Sequence, residues 1–268
     1  MEKLRGGEQN HPHPSPPLYL YLLSFQKKVA AHARQGANLL RVFFAFDFEG
    51  AGTQPSLGNF NEAALRRVDH VLATCAAYGV RVVAVLGNYW PFVGGMQAYV
   101  DNWARSVGQP TGQPLEKFYT EPGVRAAFRR SVEVIVGRRN ALTGQMYRDD
   151  PTIAVWELAN EPHTTDRYEA NLGIRPGSIL CAWVRDFARV VKGIAPNQMV
   201  ASGEEGYRTD KPGGPHSWLG DGWKGSDFVC NTCNTDVDVA TVHVYPDSWS
   251  MPDYTVRQAG GGERMRCG

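Results

Sequence analysis

A short polar run closes an apolar stretch in the middle of the chain and contains the residues best suited to chemistry. Residues 152–159 read TIAVWELA, and Asn160 and Glu161 follow directly, before Pro162 and His163. A β-branched apolar run that ends at a proline is typical of a buried parallel strand. A carboxylate at the carboxyl end of such a strand is placed for acid chemistry on a bound ligand. Glu161 is therefore the first candidate catalytic residue.

The elements around this run repeat in a regular order. Apolar runs typical of strands cover residues 38–46, 80–86, 152–159, 198–205 and 239–246, and apolar side chains at helical spacing predict helices over 61–78, 123–139 and 178–194. Strands that alternate with helices predict successive βα units of a parallel sheet. Polar residues at the strand ends favour a closed (β/α)8 barrel of the TIM type, and no G-x-G-x-x-G follows a strand, which disfavours a Rossmann fold.

Length and charge limit the classes of partner. With 268 residues, of which 43% are hydrophobic, the chain can bury one large core, and its net charge of +1 provides no basic field for nucleic acid. A neutral small molecule or polymer is the better expectation for the ligand. No run approaches the roughly 20 apolar residues of a membrane span, so we expect no membrane partner.

The five cysteines, Cys75, Cys181, Cys230, Cys233 and Cys267, are too sparse for a disulfide scaffold and leave the compartment open. Only Cys230 and Cys233 are close in sequence. A zinc site would need a second pair or histidines at matching spacing, so we expect no metal and no cofactor. An ordinary loop pair, disulfide-bonded or not, is favoured over a redox or metal module.

The amino-terminal region has two parts. Residues 1–17 are rich in Pro, His and Gly and are predicted to be disordered. Residues 18–23 resemble a short secretory segment, but Phe25, Val29 and Ala33 continue at helical spacing as far as Gln35-Gly36, a helix end. A helix that enters the fold is therefore favoured over a signal peptide.

Several motifs in the same order resemble the endo-β-1,4-mannanases of glycoside hydrolase family 5. They are Leu40-Arg41-Val42, the run Trp156-Glu157-Leu158-Ala159-Asn160-Glu161-Pro162, Gly203-Glu204-Glu205-Gly206-Tyr207, and the run from His243 to Trp249. The likeness covers roughly residues 36 to 250 and depends on no single motif.

This resemblance implies a (β/α)8 barrel that hydrolyses β-mannans by a retaining mechanism with two carboxylates, without a cofactor, as an extracellular monomer. It implies Glu161 as acid/base, Asn160 as a contact of the sugar 2-hydroxyl, and a shell that orients nucleophile and substrate, formed by Arg41, His243 and Tyr245. The expected substrate contacts are Asn88, Trp90, Glu205 and Trp249. The structural alternatives are a strand-end bridge for Arg41, a core role for His243, loop packing for Tyr245 and both tryptophans, and a helix cap for Glu205.

The chain also departs from the family. The family's nucleophile is a second glutamate on a strand after the one that carries His243, but only 23 residues follow Tyr245, and a βα unit here takes about forty. Glu263, in a Gly- and Arg-rich stretch, is a poor substitute. We expect an incomplete barrel over residues 18–250 that lacks strands 7 and 8, an irregular tail over 251–268, and a first strand that is absent unless residues 18–23 supply it.

The missing second carboxylate has a consequence for the site. Arg41 and Tyr245 would lack the anion that they hold in the family, and an unpaired buried guanidinium costs several kcal/mol. The expected function is hydrolysis of β-1,4-mannosidic linkages with the family's acid/base but without its nucleophile. The alternatives are a family 5 β-glucanase and a non-catalytic mannan-binding protein.

Overall fold

A computed structural model of the chain describes residues 18–45, 48, 52–210 and 217–249, with side chains of the first helix described from Leu22 onward. The predictions for residues 1–17, for the tail 251–268 and for Glu263 lie outside the described residues.

Four parallel strands form the sheet, and each pairs with the next in sequence. They are β1 (Leu39–Phe43), β2 (Arg81–Val85), β3 (Ile153–Glu157) and β4 (Met199–Ala201), in the order β1-β2-β3-β4. Each lies inside a run that the sequence predicted as a strand. Because the strands are parallel, their carboxyl ends lie at one edge of the sheet, and the polar residues that follow them are collected there.

Helices connect the strands. They are α1 (Leu18–Arg34), α2 (Glu62–Ala77), α3 (Met96–Ser106), α4 (Lys117–Thr120), α5 (Pro122–Val136), α6 (Tyr168–Asn171), α7 (Ser178–Ile194) and α8 (Phe228–Thr232). The Asn61 side chain caps α2 by accepting hydrogen bonds from the backbone N–H groups of Ala63 and Ala64. Glu121 caps α5, whose first residue is a proline. The predicted helices over 61–78, 123–139 and 178–194 correspond to α2, α5 and α7.

The core lies between the helices and one face of the sheet. The strand side chains on that face are fully buried: Val82, Ala84, Trp156 and Val200. Aromatic residues of α5 and α7 cover them, with Phe128 and Trp183 stacked at 5.8 Å. The opposite face carries Arg41 and Glu157 and leaves Leu39 51% exposed. Arg41 and Glu157, two charged strand residues, therefore lie on the face that the helices do not cover.

Residues 18–23 do not supply a first strand, because α1 occupies them. The predicted helix is confirmed: it ends at Arg34, directly before Gln35-Gly36, and Val29 is 2% exposed within the core. Leu and Tyr at successive positions are compatible with a helix as well as with a strand. No helix in the described ranges is both long enough and apolar enough to cross a membrane.

The strand predicted over 239–246 is also wrong in its extent. Val239 forms an isolated parallel bridge with Ala201, and the residues after it form no ladder. Val242 and Val244 are 61% and 43% exposed. A parallel strand is stabilised when both of its faces are covered, and these valines are not covered. The segment is attached instead by polar contacts, including a hydrogen bond from Thr241 Oγ1 to the Glu204 carbonyl (3.0 Å).

Cys230 forms a disulfide with Cys181 and not with its sequence neighbour Cys233, which is itself disulfide-bonded. The Cys181–Cys230 bond joins α7 to α8 across 49 residues. Closing a loop of that length stabilises the fold by about 4 kcal/mol in the chain-entropy description. Within the described ranges, no group of three or more His, Cys, Asp or Glu side chains is placed to hold a metal ion.

Candidate active site

The site lies where the carboxyl ends of the strands meet. Arg41 lies on β1, Glu157 ends β3, and Asn160 and Glu161 follow it. Asn88, after β2, forms a parallel bridge with Asn160. This placement follows from the parallel register of the sheet and brings together residues more than 100 positions apart.

Glu161 adopts a left-handed backbone conformation, with φ of 50°. Its N–H donates to the Gly203 carbonyl (2.8 Å), and its own carbonyl accepts a hydrogen bond from His163 Nδ1 (2.9 Å). A non-glycine residue in this region costs of order 1 kcal/mol and persists where its surroundings fix it. The backbone therefore aims this carboxylate in one direction.

Three donors bind the Glu161 carboxylate. His243 Nδ1 and the Tyr245 hydroxyl contact Oε1 at 2.7 and 2.9 Å, and the Trp90 indole N–H donates to Oε2. Burial alone would raise the pKa of Glu161, but hydrogen bonds from His243, Trp90 and Tyr245 outweigh it and lower the pKa to about 2. In the free protein Glu161 is therefore ionised at neutral pH and ready to act as a base.

Arg41 is not left without an anion, contrary to the expectation from the missing nucleophile. Its guanidinium binds both oxygens of Glu157 and also donates to Asn160 Oδ1 at 2.7 Å. Burial acts to lower the pKa of Arg41, but Glu157 raises it further and the net shift is upward. Tyr245 likewise has an anion, because it binds Glu161. The physical reason is that Glu157, only 1% exposed, needs a cation beside it.

Glu157 is a site residue that the sequence reasoning did not assign. A signal was present, since Glu157 and Arg41 are single charges inside otherwise apolar strands, and buried charges are paired. Its two oxygens both bind Arg41, so it is held in place as an ion-pair partner.

Asn88 lies below the site. It is 2% exposed and its amide donates to the carbonyls of Trp90 and Phe92 at 3.1 and 2.8 Å. Its Oδ1 accepts a hydrogen bond from Asn160 Nδ2 (3.1 Å). We expected Asn88 to contact the substrate directly. In the structure its side chain supports Asn160 and the loop that carries Trp90.

Two cavities meet at Glu161. The larger, of about 760 Å³, is lined by Glu161, Trp90, Glu205, Tyr245 and Trp249, among others. The smaller, of about 380 Å³, is lined by Glu161, Trp90, Tyr245, Arg41, Asn160 and His243, with Phe43 and Phe92. Of the nine predicted site residues, all but Asn88 line one or both cavities.

The larger cavity has an aromatic wall that the sequence reasoning missed in part. Trp218 lies edge-on to Trp249 at 5.3 Å and to Trp223 at 6.4 Å. The signal was two tryptophans within the glycine-containing loop 217–223. The wall also carries charges, with Lys224 bound to Asp166 (3.0 Å) and Arg167 to Asp221 (3.1 Å).

Glu205 supplies a second carboxyl to the larger cavity. Burial raises its pKa, and the negative charge of Glu161 raises it further, to about 7. At about pH 6 and below, the cavity therefore holds one ionised carboxylate, Glu161, and one mostly protonated carboxyl, Glu205.

The chain is similar in sequence to known proteins. The family described as GH family 5 beta-mannosidase-like matches residues 25–260. Mannan endo-1,4-beta-mannosidase 1 of Oryza sativa subsp. japonica is 37% identical over 221 residues, which are 81% of this chain and 49% of that protein. Mannan endo-1,4-beta-mannosidase 2 of Arabidopsis thaliana is 34% identical over 224 residues, 82% of this chain and 49% of that protein.

Solved structures agree on the fold. The hyperthermostable endo-1,4-beta-D-mannanase of Thermotoga petrophila RKU-1 superposes with a TM-score of 0.73 and 28% identity, covering 84% of this chain and 64% of that one. The endo-1,4-beta-mannanase of Rhizomucor miehei gives 0.69 at 23% identity, covering 85% and 64%, and supports the fold alone. The four-stranded sheet is part of a (β/α) barrel, and the chain spans about half the length of the curated relatives it matches.

Proposed function

Because the chain belongs to glycoside hydrolase family 5, among its β-mannosidase-like members, we propose that it carries the acid/base part of a site that hydrolyses internal β-1,4-mannosidic linkages of mannans with retention. The observation that carries the proposal is the position of Glu161 where the two cavities meet. A sugar chain that runs through both cavities passes Glu161, so this carboxyl faces a bond inside the chain and not at its end.

Glu161 would act twice. In the first step it protonates the oxygen of the leaving sugar while a second carboxylate, which the described residues do not supply, bonds to the anomeric carbon. In the second step it takes a proton from the water that displaces this carboxylate. The first step needs the acid form, whereas the three donors hold the free protein in the base form. Tyr245 is 48% exposed and is the donor most easily displaced. A substrate that displaces Tyr245 removes a hydrogen bond to the carboxylate and raises the pKa of Glu161 toward the value that an acid needs.

Asn160 is fixed for a contact with the sugar. Arg41 holds its Oδ1, and one N–H of its amide goes to Asn88. The second N–H of the amide is available to the smaller cavity, which Asn160 lines. A donor held in place in this way suits a contact with the sugar 2-hydroxyl that strengthens in the transition state.

The larger cavity would bind further sugar units. Trp249 and Trp90 line it with aromatic surface that suits the apolar faces of sugar rings. The Trp90 ring is held by its hydrogen bond to Glu161 and is 38% exposed. Glu205, mostly protonated below about pH 6, could donate a hydrogen bond to a hydroxyl as well as accept one.

A second candidate is mannan binding without hydrolysis. It is favoured by the binding of three donors to Glu161 and by the lack, among the described residues, of a free carboxylate that we can assign as nucleophile. Glu157 is buried with both oxygens on Arg41. In that case the aromatic wall would determine affinity, and replacing Glu161 by Gln would leave affinity unchanged.

The test uses mannohexaose with the full chain and with Glu161→Gln. Products are separated by chromatography, the anomer formed first is identified by proton NMR, and binding is measured by titration calorimetry. The proposal is supported by β-anomeric products from the natural chain, at least 100-fold slower release from Glu161→Gln, and similar affinity in both. Such products would also require a nucleophile outside the described residues. Binding without cleavage would support the second candidate, and the absence of binding would reject both.

The choice of sugar is tested separately. The acid/base and its shell do not encode the orientation of the 2-hydroxyl, so a β-glucan is the competing substrate. Mannan, glucomannan, carboxymethylcellulose and laminarin form the panel. If the protein hydrolysed carboxymethylcellulose or laminarin faster than mannan, the mannan proposal would be wrong, although membership of the family would stand.

We further propose that the protein works outside the cell. The Cys181–Cys230 disulfide supports this, since such bonds persist in oxidising compartments. Fractionation of cells that express the full-length natural gene product, with immunodetection in medium and lysate, tests it, and retention in the cytosol would contradict it.

A further inference from the structure

We propose that His163 is a positioning residue for Glu161: as a neutral ring that donates through Nδ1, it fixes the backbone of Glu161 and so the direction of its carboxylate. The inference deepens the proposed function and rests on it for the meaning of Glu161. Its test uses the free protein and needs no sugar.

Glu161 has a strained backbone. A φ of 50° is uncommon for a residue with a side chain, and the surroundings must hold it. Two hydrogen bonds do so, one from its N–H to the Gly203 carbonyl (2.8 Å) and one from His163 Nδ1 to its carbonyl (2.9 Å). Only the second depends on a side chain, so it alone can be removed by substitution without altering another backbone group.

Next, His163 is itself immobile. The ring is stacked on Tyr89 with centroids 3.6 Å apart and planes at 25°, and the residue is 2% exposed. Its carbonyl accepts a hydrogen bond from the buried Tyr119 hydroxyl (2.9 Å). Tyr89 therefore holds the ring of His163 and Tyr119 holds its backbone, so the position of Nδ1 beside Glu161 is fixed.

The tautomer follows from the partner. A carbonyl oxygen only accepts, so the Nδ1 that contacts it must carry the hydrogen. Burial lowers the pKa of His163 to about 4, with Lys224 acting in the same direction and Asp166 and Glu161 against it. His163 is thus neutral at pH 5 to 8, and Nδ1 keeps its hydrogen throughout.

The same ring also contacts a donor to the carboxylate. Trp90 lies edge-on to His163 at 5.9 Å, and the Trp90 indole N–H donates to Glu161 Oε2. His163 therefore touches Glu161 at its carbonyl and, through Trp90, influences the other end of the residue. If the backbone turned, the carboxylate would leave the donors that hold its pKa near 2.

The experiment separates the hydrogen bond from the ring packing. His163→Phe keeps a ring on Tyr89 but has no donor, and His163→Asn offers an amide N–H near the place of Nδ1 but has no ring. The pKa of Glu161 is measured in each by carbon NMR of side-chain-labelled glutamate, and the signal is assigned with Glu161→Gln. Thermal unfolding confirms that each variant is folded.

We expect the pKa of Glu161 to rise by one unit or more in His163→Phe and to stay near that of the natural chain in His163→Asn. No rise in His163→Phe, or an equal rise in both variants, would overturn the proposal, because the ring would then matter only for packing or not at all. If His163→Phe does not fold, His163→Leu, smaller and also without a donor, takes its place in the same comparison.

Discussion

Arg41 and Glu157 meet across an intervening strand. The guanidinium belongs to β1 and the carboxylate to β3, and they bind through two hydrogen bonds although 116 residues separate them. The pair lies on the sheet face that the helices leave open, and its cation also holds Asn160 beside Glu161. The same ion pair therefore links two strands of the sheet and positions Asn160 in the site.

The two halves of this pair differ in exposure, and stability should reflect that difference. Arg41→Met leaves Glu157, 1% exposed, as a buried unpaired carboxylate, and we expect a loss of about 3 to 5 kcal/mol in the free energy of unfolding. Glu157→Gln leaves a guanidinium whose side chain is 36% exposed and can reach water, so the loss should be about half as large. Urea denaturation of both variants measures this, and equal losses would contradict it.

Glu204 should make the fold less stable as the pH rises. Burial raises its pKa to about 7, although Ser226, Asn231 and Ser202 contact the carboxyl at 2.7 to 3.3 Å and act against the shift. Because the folded state holds the proton more tightly, the contribution of Glu204 is full below about pH 4.5 and is lost as the pH rises through 7. Glutamine is uncharged and of equal size. In Glu204→Gln the free energy of unfolding should therefore fall by up to about 3 kcal/mol less as the pH rises.

The measurement is the free energy of unfolding between pH 4 and 8 for the natural chain, Glu204→Gln and Glu205→Gln. The pKa of Glu205 is also raised to about 7, so its variant should flatten the profile by a similar amount. Glu161 has the opposite sign: with its pKa lowered to about 2, its contribution is lost as the pH falls below about 4.5. If the free energy of unfolding of Glu204→Gln fell with rising pH as steeply as that of the natural chain, Glu204 would not be the group responsible.

The Cys181–Cys230 bond should contribute measurably to stability. Replacing both cysteines by alanine opens a loop of 49 residues, and we expect a loss of about 2 to 4 kcal/mol in the free energy of unfolding. Cys75→Ala is the control for loss of a buried sulfur without a bond, and it should cost less. Burial raises the pKa of the Cys75 thiol to about 11, so iodoacetamide should label it only after unfolding.

Local patterns predicted those elements whose own residues decide their structure. The apolar β-branched runs gave the positions of β2 and β3, and α7 has the predicted bounds because its buried residues recur at helical spacing up to Pro196. The Asn160-Glu161 pair could be predicted because it directly follows an apolar strand in the sequence, so that no distant residue is needed to recognise it.

What sequence reasoning missed depends on distant partners. Whether residues 239–246 form a strand depends on neighbours that the segment does not itself contain, and the pairing of Cys181 with Cys230 depends on how α7 meets α8. The helix α3 is an exception, because its own buried residues Met96, Tyr99, Val100 and Ala104 recur at helical spacing, and the signal was present in the sequence. Arg41 was matched to the right site but expected to lack a partner, because Glu157 lies 116 residues away.

The aromatic wall of the larger cavity should contribute to sugar affinity through the face of Trp249. Trp249 lies 5.8 Å from Tyr245 and 5.3 Å from Trp218, and both neighbours are edge-on to it. Trp249→Ala should weaken mannohexaose binding about fivefold, corresponding to the ~1 kcal/mol of one aromatic contact, and Trp249→Phe should restore part of it. Trp103→Phe is the control, since Trp103 lines neither cavity. Unchanged affinity in Trp249→Ala, measured by titration calorimetry in the Glu161→Gln background, would mean that this indole only packs against Tyr245 and Trp218.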